Sequence, residues 1–86
     1  MPPILIYTKA TCSYCISAKA LLQLKGARFE EISVDGDYAG QAAMAIKAGG
    51  RSTVPQIFIG GAHVGGCDDL HALDHSGQLD GMLKAR

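Results

Sequence analysis

The sequence carries no excess of charge. Eight Lys plus Arg offset eight Asp plus Glu, and no basic run interrupts the balance. Nucleic acid and anionic membranes are therefore not expected partners, because each needs a concentrated positive patch to hold phosphate. Cysteine is scarce as well. Three cysteines, unevenly placed, are too few for the even set of bridges that staples a secreted domain, so reduced thiols and a cytoplasmic setting are expected. No apolar run approaches the roughly 20 residues of a membrane span. The start, Met-Pro-Pro-Ile-Leu-Ile-Tyr, lacks the basic segment and small-residue cleavage site of a signal peptide. Length is the last shortage: a chain of 86 residues buries only about 60% of its unfolded surface and has material for one core, so residues 1–86 are expected to form a single domain. What is present suits a folded chain, since 48% of residues are hydrophobic and 19% charged, far from a disordered composition.

The patterning predicts alternating elements. Ile4 to Thr8 is a short run of β-formers between Pro2-Pro3 and the turn-prone Lys9-Ala10-Thr11, as a buried strand would be. From Ser13 the chain is rich in Ala, Leu, Lys and Gln up to Gly26, which predicts a helix with Lys19 and Gln23 on one face and Ile16, Ala20, Leu21, Leu22 and Leu24 spread broadly around the remainder. Thr11 or Cys12 is its expected N-cap, Lys25 falls in its last turn, and Gly26 stops it. Phe29 to Val34 reads as a second strand closed by Asp35-Gly36-Asp37, and Gln41 to Ala48 as a short Ala-rich helix ended by Gly49-Gly50. Gln56 to Ile59 and Ala62 to Val64 make a hairpin around Gly60-Gly61. A further helix starts at Asp68-Asp69, and Leu79, Met82 and Leu83 mark a last amphipathic turn or two. The expected order is β-α-β-α-β-β-α. The first crossover is parallel and the hairpin antiparallel, so a mixed four-stranded sheet with helices on its faces follows.

Cys12-Ser13-Tyr14-Cys15 falls where the first strand gives way to the first helix. A C-x-x-C at that place in a βαβ unit reads as a thioredoxin-like redox pair. The reason is electrostatic: the unpaired amides and positive dipole end of a helix favour an anion by about 0.3 to 2 kcal/mol, and a thiolate is one. Lys9 is the nearest cation in sequence that could add to this. Cys15, one turn into the helix, is expected to be buried and protonated until a mixed disulfide at Cys12 needs resolving. Zinc is the rival reading, with His63, Cys67, His71 and His75 as further ligands, but a second C-x-x-C knuckle is missing. The three histidines are expected to face solvent.

Three blocks together resemble the dithiol glutaredoxins of the small bacterial type: Tyr7-Thr8-Lys9 before Cys-Ser-Tyr-Cys, Arg51-Ser-Thr-Val-Pro55-Gln-Ile-Phe-Ile, and Gly65-Gly66-Cys67-Asp68-Asp69-Leu70. The resemblance spans nearly the whole chain. It implies a thioredoxin-like α/β fold and a glutathione-dependent thiol–disulfide oxidoreductase in which Cys12 attacks and Cys15 or glutathione resolves. Glutathione is the implied electron donor, and glutathionylated proteins and disulfides the implied substrates.

The resemblance also implies a glutathione site. Thr53, Val54 and a cis Pro55 would present the Val54 backbone to the cysteinyl part of the tripeptide. Gly66, Cys67 and Asp68 would hold its γ-glutamyl end. Lys9 and Arg51 would meet its glycyl carboxylate, and Tyr14 would line the groove. For Cys67 only the main chain is expected to matter. One departure is visible: Ser13 stands where the family most often has proline, which leaves the turn freer. Relatives with a small residue there resemble this chain and share a [2Fe–2S] cluster between two subunits, each giving its first cysteine. The chain is expected to be a monomer, and a dimer only with such a cluster. The alternatives are thus an iron–sulfur carrier and a redoxin dependent on thioredoxin reductase.

Overall fold

Side chains alternate between two packed faces along the central strands, and this sets the architecture. The computed structural model describes residues 2–84. Strands β1 (Ile4–Thr8), β2 (Glu30–Ser33), β3 (Gln56–Ile59) and β4 (Ala62–Gly65) form one sheet in the order β2-β1-β3-β4. β1 runs parallel to β2, with Tyr7 beside Ile32, and antiparallel to β3, with Ile6 beside Ile57. Ile4, Ile6, Ile57 and Ile59 project to one side, where they pack with Ala18, Leu21, Leu22, Leu70, Leu79 and Leu83. Tyr7 and Phe58 project to the other and meet Val34, Met44 and Ala48. With helices on both faces, β1 and β3 bury nearly every residue, which is why they read as unbroken apolar runs.

Four helices supply those faces: α1 (Ser13–Leu24), α2 (Tyr38–Lys47), α3 (Cys67–His75) and α4 (Gln78–Lys84). The chain therefore ends in two helices, and α4 is the last amphipathic stretch expected at Leu79, Met82 and Leu83. Helix α2 begins three residues before the expected Gln41, because the Asp37 carboxylate accepts the Gly40 amide at 2.9 Å and caps it there. Helix α3 likewise begins at Cys67, with Gly66 as its N-cap, and β4 extends to Gly65. The expected second strand is shortened to Glu30–Ser33. On α1 the inward face is Cys15, Ala18, Leu21 and Leu22, whereas Ile16 and Leu24 point outward at 60% and 83% exposure. The α1 pattern was too broadly apolar to give its phase.

Lys25 caps the C-terminal end of α1 and bridges Asp74 at 2.7 Å and Asp80 at 2.9 Å, tying α1 to α3 and α4. The hairpin turn is made possible by Gly60 and Gly61, whose φ angles of 59° and 83° suit a turn that matches strand twist. No described helix is long and apolar enough to cross a membrane.

Two leucines of α1 test this assignment of faces. Leu22→Ala, at a wholly buried position, is expected to cost about 2–5 kcal/mol. Leu24→Ala should stay within about 0.5 kcal/mol. The check is the urea midpoint at unchanged slope; equal losses would contradict the phase of the helix.

Candidate functional site

Cys12 is the N-cap of α1, and its own sulfur does the capping. The residue is extended, at φ −108° and ψ 109°, and Sγ accepts the Cys15 amide hydrogen at 3.2 Å. A cap of this kind satisfies one of the unpaired amides of the first turn and holds the sulfur on the positive end of the helix. On its other side the Cys12 thiol faces the Val54 carbonyl at 3.8 Å. Cys12 is partly exposed and Cys15 fully buried. Burial, then the hydrogen bond to Cys12, push the Cys15 thiol from an ordinary 9.0 up to about 12, against smaller opposing effects of the Lys9 backbone and the Lys19 cation. Cys15 is thus a neutral thiol at physiological pH.

The Val54 carbonyl belongs to a loop held at nearly every residue. The Val54–Pro55 bond is cis. Arg51 N–H donates to the Ala48 carbonyl at 3.3 Å, and Gln41 Nε2 donates to the Ser52 carbonyl at 2.7 Å. Gln56 Nε2 donates to the Thr53 carbonyl at 3.0 Å.

Across from this loop, α3 starts at Cys67. Leu70 N–H is bonded to the Gly66 carbonyl at 3.0 Å, and the earlier amides of Cys67 and Asp68 have no helical acceptor. The Gly66 amide is taken by Asp69 Oδ2 at 2.9 Å, and the same oxygen accepts from Arg51 Nη1 at 2.9 Å. That is half of a capping box, since glycine has no side chain to return the bond. The Gly66 amide first and the Arg51 guanidinium second hold the Asp69 carboxyl below its ordinary value. Gly65, at φ +119°, leaves the room this pair needs, because a Cβ there would collide with Asp69 Oδ2 and Arg51 Nη1.

Between the loop and α3 lies a cleft of about 270 Å³ lined by Tyr14, Arg51, Thr53, Val54, Pro55, Gly66, Cys67, Asp68 and Asp69. Eight of these nine were singled out from sequence. A larger hollow of about 590 Å³ lies elsewhere, lined by Pro3, Ile4, Leu5, Glu30, Lys47, Phe58 and Gly61. It contains no thiol and is set apart from the cysteine pair. Lys9 is half-buried in the loop before Cys12, forms no ion pair among the described residues and does not line the cleft. Arg51 lines it but is paired to Asp69. Cys67 is buried at the cleft wall. Tyr14 is 61% exposed at its edge.

The glutaredoxin family model matches residues 4–64. Over 85 residues, 99% of this chain and the whole of the relative, the sequence is 60% identical to a glutaredoxin of Pseudomonas aeruginosa. It is also 60% identical to glutaredoxin 3 of Escherichia coli over 79 residues, 92% of this chain and 94% of that one. The chain belongs to the glutaredoxin family. Its fold matches the crystal structure of a buckwheat glutaredoxin–glutathione complex with a TM-score of 0.86 at 39% identity, covering 95% of this chain and 76% of that one. This glutaredoxin is accordingly a thiol–disulfide oxidoreductase with the thioredoxin-like fold.

Sequence reasoning passed over Asp69 and Gln56. The first had a signal, an acidic residue three positions after the helix-capping Gly66. The second had none, since a single glutamine beginning an apolar strand looks like a surface residue. Of the histidines, His63 is exposed as expected but bonded through Nε2 to Gln56 Oε1 at 2.7 Å, and His71 contacts Ser17 Oγ at 3.3 Å.

Two pH-dependent outcomes follow. A raised thiol pKa means the folded state keeps a proton that the unfolded chain loses, so stability from the neutral Cys15 is present below pH 9 and drains away between 9.0 and about 12. Cys15→Ser should flatten that alkaline fall in denaturant titrations; an unchanged slope would contradict the burial argument. For Asp69 the sign is opposite. Its contribution is present above the ordinary 3.8 and is lost as pH falls below it. Asp69→Ala is expected to cost about 0.5–1 kcal/mol at neutral pH, and the gap to wild type should close on acidification in the same titrations.

Proposed function

We propose that this glutaredoxin takes its electrons from glutathione and that the cleft beside Cys12 is where the tripeptide lies. The observation that carries this reading is the convergence of three backbone features on one small cleft: the sulfur-capped start of α1, the Val54 peptide, and the unpaired amides at the start of α3. An extended peptide can pair with Val54 as with a strand edge. Its α-carboxylate can accept from the Cys67 and Asp68 amides, and Asp68, exposed at the rim, can pair with its ammonium group. Arg51 spends one nitrogen on Asp69 and keeps other donors for the glycyl carboxylate, with Lys9 as a second cation. The buckwheat structure supports the reading by analogy, as a relative complexed with glutathione.

The exchange then runs through sulfur alone. The Cys12 thiolate attacks the glutathione sulfur of a glutathionylated protein; the protein thiolate leaves and takes a proton from water, and a Cys12–glutathione disulfide remains. A second glutathione thiolate attacks that disulfide, releases oxidised glutathione and returns Cys12. The net change exchanges one disulfide for another: the protein sulfur is reduced to a thiol, the sulfur of the incoming glutathione is oxidised, and the first glutathione sulfur stays in a disulfide throughout. When Cys12 ionises it has no hydrogen for the Val54 carbonyl, which frees that oxygen for a ligand N–H. With a protein disulfide, Cys15 must give up its proton and close on Cys12, and its raised pKa makes this the slower branch.

A [2Fe–2S] cluster would have to be shared. Among the described residues no three His, Cys, Asp or Glu side chains converge on one point, so a single copy does not fit a resident cluster and no step here runs through one.

Activity on a glutathionylated peptide, coupled through glutathione reductase, tests the assignment. Cys12→Ser should lose at least about 1,000-fold, the scale of removing a nucleophile, while Cys15→Ser should keep half or more of the rate. Equal loss in the two variants, or turnover with thioredoxin reductase in place of glutathione, would overturn it.

A further inference from the structure

Gln56 is the first residue of β3, directly after the Thr53-Val54-Pro55 loop, and its side chain is wholly buried. A buried amide is costly unless each of its polar atoms is bonded, and here each is. Nε2 donates to the Thr53 carbonyl at 3.0 Å and to Thr53 Oγ1 at 3.3 Å. Oε1 meets His63 Nε2 at 2.7 Å. The carbonyl partner fixes the orientation of the amide, because only the NH2 end can donate to it. Oε1 is then an acceptor and His63 must present Nε2–H, which both its Nε2–H tautomer and its cation carry. His63 is steadied by its ring, which lies 5.0 Å from that of Phe58, its cross-strand partner.

We infer that Gln56 and His63 are positioning residues of the glutathione cleft: a hydrogen-bonded line from β4 through the sheet edge that sets the direction of the Thr53–Val54 peptide. Thr53 sits between the pinned Ser52 carbonyl and the Val54 carbonyl facing Cys12. Without the Gln56 amide, the Thr53 carbonyl is free to rotate and carries the Val54 peptide with it. The sulfur chemistry is untouched, since Cys12 Sγ is held by the Cys15 amide of its own helix. The inference rests on the glutathione reading above, and it adds a division of labour: β4 and β3 govern ligand binding, and α1 governs sulfur reactivity.

The experiment compares wild type, Gln56→Met, which keeps length and loses the donors, and His63→Phe, which keeps the stacked ring and loses the hydrogen. Binding of the redox-inert S-methylglutathione and the KM for a glutathionylated peptide should weaken about 3- to 10-fold in Gln56→Met, and less in His63→Phe. The kcat and the rate of Cys12 alkylation by iodoacetamide should stay within about 2-fold. Nitrogen NMR in mildly alkaline buffer should find His63 of the wild type as the Nε2–H tautomer, and the Thr53 and Val54 amide signals should move in Gln56→Met. Unchanged binding in both variants, an Nδ1–H His63, or a parallel loss of binding, kcat and alkylation would overturn the inference. Should Gln56→Met not fold, His63→Phe and the tautomer decide. A wild type that ignores S-methylglutathione refutes the glutathione reading instead, and the tautomer and amide signals still judge the network.

Discussion

The Cys12 sulfur stands between two opposed backbone dipoles. The Cys15 amide points its hydrogen at Sγ from 3.2 Å, and the Val54 carbonyl points its oxygen at the same atom from 3.8 Å. The amide offers its hydrogen to the sulfur, and the carbonyl is an acceptor for the thiol hydrogen. The nearer partner is the amide. The sheet makes this arrangement possible. β1 delivers Cys12 to the start of α1, and β3 delivers the cis Val54–Pro55 bond to the same point, because the two strands are antiparallel neighbours with Tyr7 beside Gln56.

The two cysteines are three residues apart and in opposite environments. Cys12 is a partly exposed cap, and Cys15 is buried on the inward face of α1. The separation is a consequence of helical geometry: a residue at the N-cap is outside the helix, and one turn later the same side of the chain faces inward. Desolvation then does the rest, making Cys15 a thiol that resists ionising. The Lys19 ammonium, one turn further along α1, moderates this, and it is itself held by Glu31 at 3.0 Å, whose carboxylate also accepts from buried Thr8 at 2.6 Å. A charge on α1 is thereby fixed by β2 and β1, behind the redox pair.

Much of the fold was legible because strand and turn signals were local. Ile4 to Thr8 and Gln56 to Ile59 were bounded by proline and glycine, and their ends agree with the structure to the residue. Helix phase was harder to read. Apolar residues surround α1, and which of them are covered depends on α3, whose approach is fixed by contacts distant in sequence. For the cleft, the three blocks contain all nine lining residues, and eight of them were assigned to the site, Asp69 being the exception. What sequence could not reveal was how the polar side chains spend their bonds. Arg51 is a surface cation in the sequence, and only the folded chain shows that Asp69 claims one of its nitrogens.

Charge placement around the cleft fits the proposed binding of a zwitterionic tripeptide by a net-neutral chain. Arg51 and Asp69, both about half-exposed, neutralise each other 2.9 Å apart, which leaves the wall of the cleft nearly uncharged. The remaining donors of Arg51 and the exposed carboxylate of Asp68 line the cleft, and Lys9 lies outside it in the loop before Cys12. A ligand with a carboxylate at each end and one ammonium group meets amides and guanidinium at its acids and a carboxylate at its amine. A ligand of a single sign would leave one of these groups unmatched. On the proposed reading, selectivity would come from pairing at both ends with a strand-like backbone between them, which requires no overall charge.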